Sequence, residues 1–254
     1  MRTRLPALLA AAAFLAFGCS SNAPNPEPKA AVTIEAPAPD PSPSLDPSPI
    51  PTPTPSPPPV SAFIKTVPYT VQAPFGVWDS AHEEYCEAAA VLMVGLYMGG
   101  DRRSRIPPAE ADKSMATIVA WERGTWPGVK DLTLDKVGQD GVHFYGLQPN
   151  LEPATFANVQ MEIAAGRPVI IPVMTHGAPG GQKIAPNYGS VNVYHVLVIV
   201  GYDATKQTVT TNDAGISQGQ NYVYRWSILE SAMDAQTPKM GQGRILLSFA
   251  PAAS

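Results

Sequence analysis

The sequence predicts an α+β fold in which helices come first and an antiparallel sheet follows. Residues 86–98 are apolar on nearly all sides and rich in Ala, Leu and Met, which indicates a buried helix rather than a strand. Residues 191–202 carry the strongest strand pattern of the chain, and a turn at 203–206 and a second strand at 207–211 complete a hairpin. Helices followed by paired strands are typical of the α+β class.

Composition divides the chain into unequal parts. The protein has 254 residues and 29 prolines, and most of the residues between 47 and 55 are proline. Residues 20–60 have no apolar period, so they are predicted to form an extended, polyproline II-like tether. Residues 61–254 are long enough to form one domain with its own core. The formal net charge of −4 argues against a nucleic-acid partner, which would select a basic surface.

Residues 1–19 are typical of an export signal. Two arginines precede an apolar run at 8–17 that is too short to span a bilayer as a mature helix. The run ends at Gly18-Cys19, which resembles the cleavage motif of bacterial lipoproteins. The resemblance implies lipidation of Cys19 and an extracytoplasmic protein anchored to a membrane of the bacterial envelope. An ordinary cleaved signal peptide is the alternative.

The other predicted elements of the domain follow in chain order. A strand is predicted before the central helix, at residues 63–72. The remaining predicted helices are 109–121, 129–138, 156–165 and 225–233. The remaining predicted strands are 169–173 and 244–249.

Cys86 has no cysteine partner if Cys19 carries lipid. Exported proteins normally pair their cysteines, so an unpaired one is either an inert buried thiol or a reactive one. Cys86 falls at the first turn of the central helix, where the helix dipole and free amides favour a thiolate and lower the thiol pKa. Glu83, Glu84 and Glu87 act in the opposite direction, although acidic residues are also common at helix starts. The sequence leaves the balance open.

His195 is the candidate base for this thiol. It lies in the strongest predicted strand, and Asn212 and Asp213 end the next strand of the same hairpin. A nucleophile, a base and a group that orients the base are the parts of a catalytic triad, so Asp213 is predicted to hold one imidazole nitrogen while the other faces Cys86. Asn212 remains open for the same role. A satisfied core histidine and an ordinary turn are the alternatives.

Gln72 and His82 are two further candidates for a catalytic role near the nucleophile. Gln72 is predicted to aim its side-chain amide at the oxyanion. His82 is a rival base, because it would share a helix face with Cys86 if the helix began earlier. His143 and His176 stand apart from other ligand types, so we expect no metal site and no cofactor.

These pieces together resemble the C39-like group of papain-fold cysteine peptidases, in its bacterial lipoprotein form. The matching segments are VPYTVQAP at 67–74, WD at 78–79 with HEEYCEAAA at 82–90, YHVLVIVGYD at 194–203 and TND at 211–213. The resemblance implies a papain-like fold with Cys86 as nucleophile, His195 as base, Asp213 as orienting residue and Gln72 as oxyanion donor.

The chain departs from the pattern of this group at two positions. Many members have glycine after the nucleophile, where this chain has Glu87, and many have proline after the third residue of the triad, where this chain has Ala214. These departures concern the substrate class more than the fold.

The expected function is therefore that of an exported thiol hydrolase. It would cleave peptide or amide bonds through a Cys-His-Asp triad and an acyl-enzyme, with a peptide or protein as substrate. We expect a monomer that meets the membrane only through its lipid anchor. Cell-wall amide hydrolysis, transglutaminase-like acyl transfer and a non-catalytic binding module on the same fold are the alternatives.

Overall fold

The computed structural model describes residues 57–250 of the chain. The predicted signal at 1–19, including Cys19, and the predicted tether at 20–60, apart from its last four residues, lie outside the described part. The helices and strands that it contains are, in chain order, β1 Ser61–Phe63, α1 Cys86–Met98, α2 Pro108–Thr125, α3 Leu134–Tyr145, β2 Gln148–Pro153, α4 Phe156–Ala164, β3 Val169–Met174, β4 Tyr194–Asp203, β5 Thr208–Asn212, β6 Tyr222–Arg225, α5 Trp226–Met240 and β7 Ile245–Ala250.

The strands form one seven-stranded sheet in which every pair is antiparallel. The order across the sheet is β2-β7-β3-β4-β5-β6, and β1 pairs with the far end of β4. One face of the sheet packs against α1, α2 and α3, and the other packs against α4 and α5. The predicted α+β class, with helices packed on an antiparallel sheet, is confirmed.

Helix α1 has the predicted bounds and lies in the centre of one apolar layer. Its side chains from Cys86 to Val94 are buried, which explains why the segment has no polar face. Gly95 lets the helix approach its neighbour closely, because a Cβ there would lie 2.3 Å from the Tyr145 ring. Within residues 57–250, no helix is long and apolar enough to cross a membrane.

The segment predicted as a strand at 63–72 is mostly not one. Only β1 pairs with the sheet, and it ends at Phe63. Pro68 has no amide to donate to a ladder, and Tyr69 makes only an isolated bridge to Arg105. The segment crosses the α1 side of the domain as an extended connection and brings Gln72 to the site described below. The backbone amide of Gln72 donates to the Ala214 carbonyl.

Helix α3 begins five residues later than predicted, at Leu134, and continues through the glycines at 138 and 141. Those glycines weaken a helix in isolation, but here they provide close packing. A Cβ on Gly141 would lie 2.3 Å from Phe249 of β7. Residues 129–133, predicted as helix, instead form a connection whose Leu132 amide contacts Glu87.

Helix α5 extends to Met240, beyond the predicted end at 233, with Pro238 in its last turn. Helices α2 and α4 and strands β3, β5 and β7 match their predicted positions within one to four residues at each end. The sequence reading did not include β2 or β6.

Candidate active site

Cys86, His195 and Gln72 line one cleft with a volume of about 740 Å³. Cys86 enters it from the start of α1, His195 from the beginning of β4, and Gln72 from the connection before α1. Asp213 lies directly behind His195 and is fully buried. The structure thus brings all four predicted residues to one place.

The His195 imidazole is held by a buried acceptor. Its Nε2 lies 2.9 Å from Oδ1 of Asp213, and only 3% of the residue is exposed. This contact occupies one ring nitrogen and leaves Nδ1 for a second partner. The same carboxylate accepts hydrogen bonds from the Tyr188 hydroxyl at 2.8 Å, the Tyr224 hydroxyl at 2.6 Å and the Gly215 amide at 2.9 Å.

These donors keep Asp213 ionised. Burial alone would raise the pKa of this carboxyl, but the hydrogen bonds and charge of His195 and the hydroxyls of Tyr224 and Tyr188 hold it below its usual value. Burial and the nearby Asp213 charge raise the pKa of both tyrosines, so they remain protonated donors. Asp213 therefore supplies the fixed negative charge that orients the His195 imidazole.

Asn212 points away from His195. Its Nδ2 donates to the Val67 carbonyl and its Oδ1 accepts from the Asn221 amide. The cause is strand parity, because Asn212 lies opposite Val198, which faces α1 rather than the His195 side of β4.

Gly215 packs against the imidazole and provides the first testable prediction. A Cβ at this position would lie 2.9 Å from both Cε1 and Nε2 of His195, so Gly215→Ala must displace the ring. Since a misplacement of about 1 Å costs roughly 10²-fold in rate, we expect kcat/KM for a peptide substrate to fall by about that factor with little change in melting temperature. Gly189→Ala is the matched control, because Gly189 lines the same cleft with nothing near its Cβ position. Equal activities of the two variants would contradict the prediction.

The thiol of Cys86 donates a hydrogen bond to the next residue in the sequence, Glu87. Sγ lies 2.8 Å from Oε2 of Glu87, and no hydrogen bond joins Sγ to His195 among the described residues. Glu87 is buried, and its Oε1 accepts the Leu132 amide at 2.9 Å. The position of Cys86 at a helix start is as predicted, but the hydrogen bond of its thiol goes to Glu87.

Consequently, the environment raises the pKa of the Cys86 thiol well above its usual value. Burial is the main cause, the charge and hydrogen bond of Glu87 add to it, and the Val196 amide acts in the opposite direction. The sequence left open whether the helix start or the glutamates decide this pKa, and burial of the thiol against a carboxyl group decides it towards a raised value. Of the three glutamates considered in the sequence, Glu87 is the one that contacts the sulfur.

Gln72 lies in the cleft, but its amide is already engaged. Nε2 donates to the His82 carbonyl at 2.9 Å and makes only a long contact, 3.5 Å, with the Glu83 carbonyl. One of its two N–H groups thus has no close acceptor. The backbone amide of Cys86 is a second hydrogen-bond donor beside the thiol, because the first amide of a helix has no carbonyl acceptor one turn earlier within the helix.

His82 does not share a helix face with Cys86. It lies in a separate short 3-10 helix, His82–Glu84, and both of its ring nitrogens are occupied. Nδ1 lies 2.8 Å from Asp79 and Nε2 lies 2.9 Å from Asp112. The Asp112 and Asp79 carboxylates raise the pKa of this imidazole, which fits a structural ion pair and leaves no nitrogen for the thiol.

Comparison with known proteins now adds to this geometry. Residues 64–236, more than half of the chain, match the Peptidase_C39 like family. The chain belongs to this family. The predicted family is therefore confirmed, and the C39-like chain is a hydrolase of the cysteine peptidase type that acts on proteins or peptides.

Several solved structures are similar to this C39-like chain. A Bacillus anthracis protein described as a C39-like peptidase is 16% identical, covers 76% of this chain and 99% of its own, and has a TM-score of 0.48. Xylellain, a cysteine protease from Xylella fastidiosa, is 10% identical, with coverages of 77% and 87% and a TM-score of 0.34. The Pseudomonas avirulence protein AvrPphB is 9% identical, with coverages of 70% and 97% and a TM-score of 0.31. A search of curated proteins gives no match.

The Asp213 carboxylate of the C39-like peptidase has two tyrosine partners that the sequence did not predict. Tyr188 and Tyr224 donate to Asp213, although they lie in a loop and in a strand that had not been predicted. No local motif marks either tyrosine, since both act through long-range packing. Within residues 57–250, no group of histidine, cysteine and acidic side chains has the arrangement of a metal site.

Behind the nucleophile, the peptidase buries two more carboxyl groups, Glu122 of α2 and Asp140 of α3. The two groups lie close enough for the charge of Asp140 to act on Glu122, and neither oxygen of Asp140 has a hydrogen-bond partner among the described residues. Burial raises the pKa of both groups, and burial also raises the pKa of Glu87 to about 7.

This carboxyl cluster predicts an unusual dependence of stability on pH. Because its folded pKa values lie above the unfolded ones, the stabilisation is complete below about pH 4 and is lost as pH rises through the folded values. We expect the free energy of unfolding in urea to fall by about 2–4 kcal/mol between pH 5 and pH 8. Asp140→Asn should reduce this slope, and a stability that rises over the same range would contradict the prediction.

Proposed function

We propose that the protein is an exported thiol hydrolase that cleaves peptide or amide bonds through Cys86, His195 and Asp213. The observation that carries this proposal is the buried His195–Asp213 pair, with Nε2 and Oδ1 2.9 Å apart, on the same cleft as Cys86. A buried aspartate that fixes one imidazole nitrogen beside a helix-start cysteine is the arrangement that thiol acyl transfer requires.

The reaction follows from the roles of these groups. His195, oriented by Asp213 through Nε2, takes the thiol proton at Nδ1. The Cys86 thiolate attacks the substrate carbonyl, and His195 returns the proton to the leaving amine as the C–N bond breaks. The remaining thioester is the acyl-enzyme, which water hydrolyses to a carboxylic acid and the free thiol.

The oxyanion of this reaction needs donors, and Gln72 and the Cys86 amide are proposed for that role. The support is the position of Gln72 in the cleft with one N–H group that has no close acceptor. Loss of one such donor typically reduces kcat by roughly 10²–10³-fold.

A peptide is the substrate that fits the surface around the nucleophile. The cleft is lined by three apolar side chains that are largely exposed, Trp78 at 48%, Val191 at 68% and Val193 at 45%. Apolar patches of this kind at a polar cleft are typical of sites that bind a partner chain.

Incubation with peptide mixtures and with cell-wall muropeptides tests this function and separates it from its alternatives. Mass spectrometry should detect new peptide termini from peptide mixtures, and amine-linked products would instead indicate transglutaminase-like transfer. Cleavage of muropeptides alone would favour a cell-wall amidase. No product from any substrate at any pH between 5 and 9 would reject the hydrolase and favour a non-catalytic binding module, the reading that the Cys86–Glu87 hydrogen bond supports.

The proposal includes export as a lipoprotein attached to the membrane through Cys19, with residues 20–60 as the tether of a monomeric domain. The support is sequence alone, namely the apolar run that ends at Gly18-Cys19 and the proline-rich segment after it. In cells fed an alkyne-tagged fatty acid, the wild-type chain should incorporate label and Cys19→Ala should not. Labelling of both chains, or of neither, would reject the anchor.

A further inference from the structure

Glu87 makes a contact with the nucleophile that the triad mechanism does not use. Consecutive residues on a helix do not normally face each other, so the 2.8 Å contact between Sγ of Cys86 and Oε2 of Glu87 requires a side chain to turn out of its usual direction. The carboxyl is fixed in this position from its other end by the Leu132 amide. Glu87 is thus an anchored acceptor, and the thiol is the group that turns to it.

The surroundings of Glu87 contain several titratable groups. Carboxyl groups face it from α2 and α3, a phenol faces it from β4, and an aspartate paired with a lysine of α5 lies in the connection before α3. The groups are Cys86, Glu122, Asp140, Tyr194, Asp131 and Lys239. Lys239 is the cation of this set, and it is engaged by Asp131 and lies over the Tyr194 ring.

We propose that Glu87 is a positioning residue that, when ionised, keeps the Cys86 thiol protonated and bonded away from the triad, and that releases it on taking up a proton. This inference rests on the proposed role of Cys86 as nucleophile. It adds a control of that nucleophile by the residue that follows it in the sequence.

The physical reason is the charge next to the sulfur. A thiolate beside an ionised Glu87 would place two like charges in contact in a buried setting, which disfavours ionisation of Cys86. A protonated Glu87 carries no charge, so it no longer opposes ionisation of Cys86. Burial raises the pKa of Glu87 to about 7, so both forms are populated near neutral pH.

Alkylation kinetics of Glu87→Gln test the proposal without a substrate. The rate of iodoacetamide addition to Cys86 is measured from pH 5.5 to pH 8.5 by mass spectrometry of the Cys86 peptide, which separates it from Cys19. We expect the ratio of variant to wild-type rate to be about 1 at pH 5.5, to rise with a midpoint near pH 7, and to reach about tenfold at pH 8.5, the change in thiolate fraction for one pKa unit.

Glu84→Gln is the matched control, because Glu84 lines the same cleft but bonds to Lys130 instead of the thiol. Its ratio to wild type should stay near 1 at every pH. A Glu87→Gln ratio that does not change with pH would overturn the proposal in favour of a purely structural role, and a ratio below 1 at pH 8.5 would overturn it in favour of Glu87 as the base. If thermal melting shows that Glu87→Gln does not fold, Glu87→Ala gives the same test. If the alkylation rates differ from this expectation while the wild type still cleaves peptides, only the role of Glu87 is rejected. If neither the wild type nor the variants cleave any peptide, the proposed function is rejected.

Discussion

Replacing Cys86 with alanine is expected to abolish hydrolysis of peptide bonds while the domain keeps its fold. The thiol is the only group proposed to form a covalent bond with the substrate, and the loss of a nucleophile typically reduces turnover by roughly 10⁴-fold or more. Cys86 is buried and its thiol donates to Oε2 of the buried Glu87, so Cys86→Ala should lower the free energy of unfolding by about 1–3 kcal/mol, the cost of leaving that acceptor without a donor. Steady-state hydrolysis and urea unfolding of the same preparations measure both effects.

Cys86→Ser is the useful comparison, because it keeps a hydroxyl in place of the thiol. A serine hydroxyl is a far weaker nucleophile than a thiol at the same position, so we expect the activity of Cys86→Ser to stay within about tenfold of the alanine variant. Hydrolysis that persists in Cys86→Ala above the background of an empty preparation would contradict the assignment of the nucleophile.

Replacing His195 with alanine is expected to have the second largest effect. Without the base, the thiol has no acceptor that can return its proton to the leaving amine, so kcat/KM should fall by roughly 10³-fold or more. The variant should also lose stability, because the fully buried Asp213 would lose a partner that helps to keep it ionised. Leaving a buried charge without its partner costs about 3–5 kcal/mol, and the donors Tyr188, Tyr224 and Gly215 reduce this figure.

His82→Ala provides the control for this prediction. Its imidazole is engaged by Asp79 and Asp112 at the surface, so the variant should keep its activity within about tenfold of the wild type. If His82→Ala lost as much activity as His195→Ala, with both chains folded, the base would have to be reassigned.

The sequence predicted the central elements because their patterns are local and strong. Helix α1 is apolar on all sides and β4 is a long strand rich in β-branched residues, so the local sequence alone predicts the structure of each. The predicted helix 129–138 ends at Gly138, whereas α3 continues to Tyr145. Glycines weaken a helix, and only the packing of Pro149 and Phe249 against Gly138 and Gly141 shows why they are tolerated here.

The choice between Asn212 and Asp213 shows why the site was only partly predictable. In a regular hairpin with the turn at 203–206, Asn212 would face the same side of the sheet as His195. The structure has a β-bulge between Ile199 and Gly201, which shifts the register by one residue and exchanges the two faces. Asp213 therefore reaches the imidazole. No residue type in the segment predicts the β-bulge that causes this shift.

The contact between Cys86 and Glu87 was also beyond the sequence. The excess of glutamates near the thiol was visible, but the pattern could not tell a solvent-exposed carboxylate from a buried one. Glu84 pairs with Lys130, whereas Glu87 is buried and held by Leu132, a residue 45 positions away in sequence. Burial of a charged side chain depends on tertiary contacts, and helix position alone does not report it.

Covalent trapping at Cys86 tests the central claim most directly. The wild-type chain, His195→Ala and the urea-unfolded wild type are treated at pH 6.5 with a peptide that carries a vinyl sulfone at its C-terminal end, and the adducts are mapped by mass spectrometry. The account predicts an adduct on Cys86 that forms at least about 100-fold faster in the folded wild type than in the other two samples, because recognition in the cleft and the His195–Asp213 pair act together. Equal rates in all three samples, or no adduct on Cys86 in the folded wild type, would contradict it.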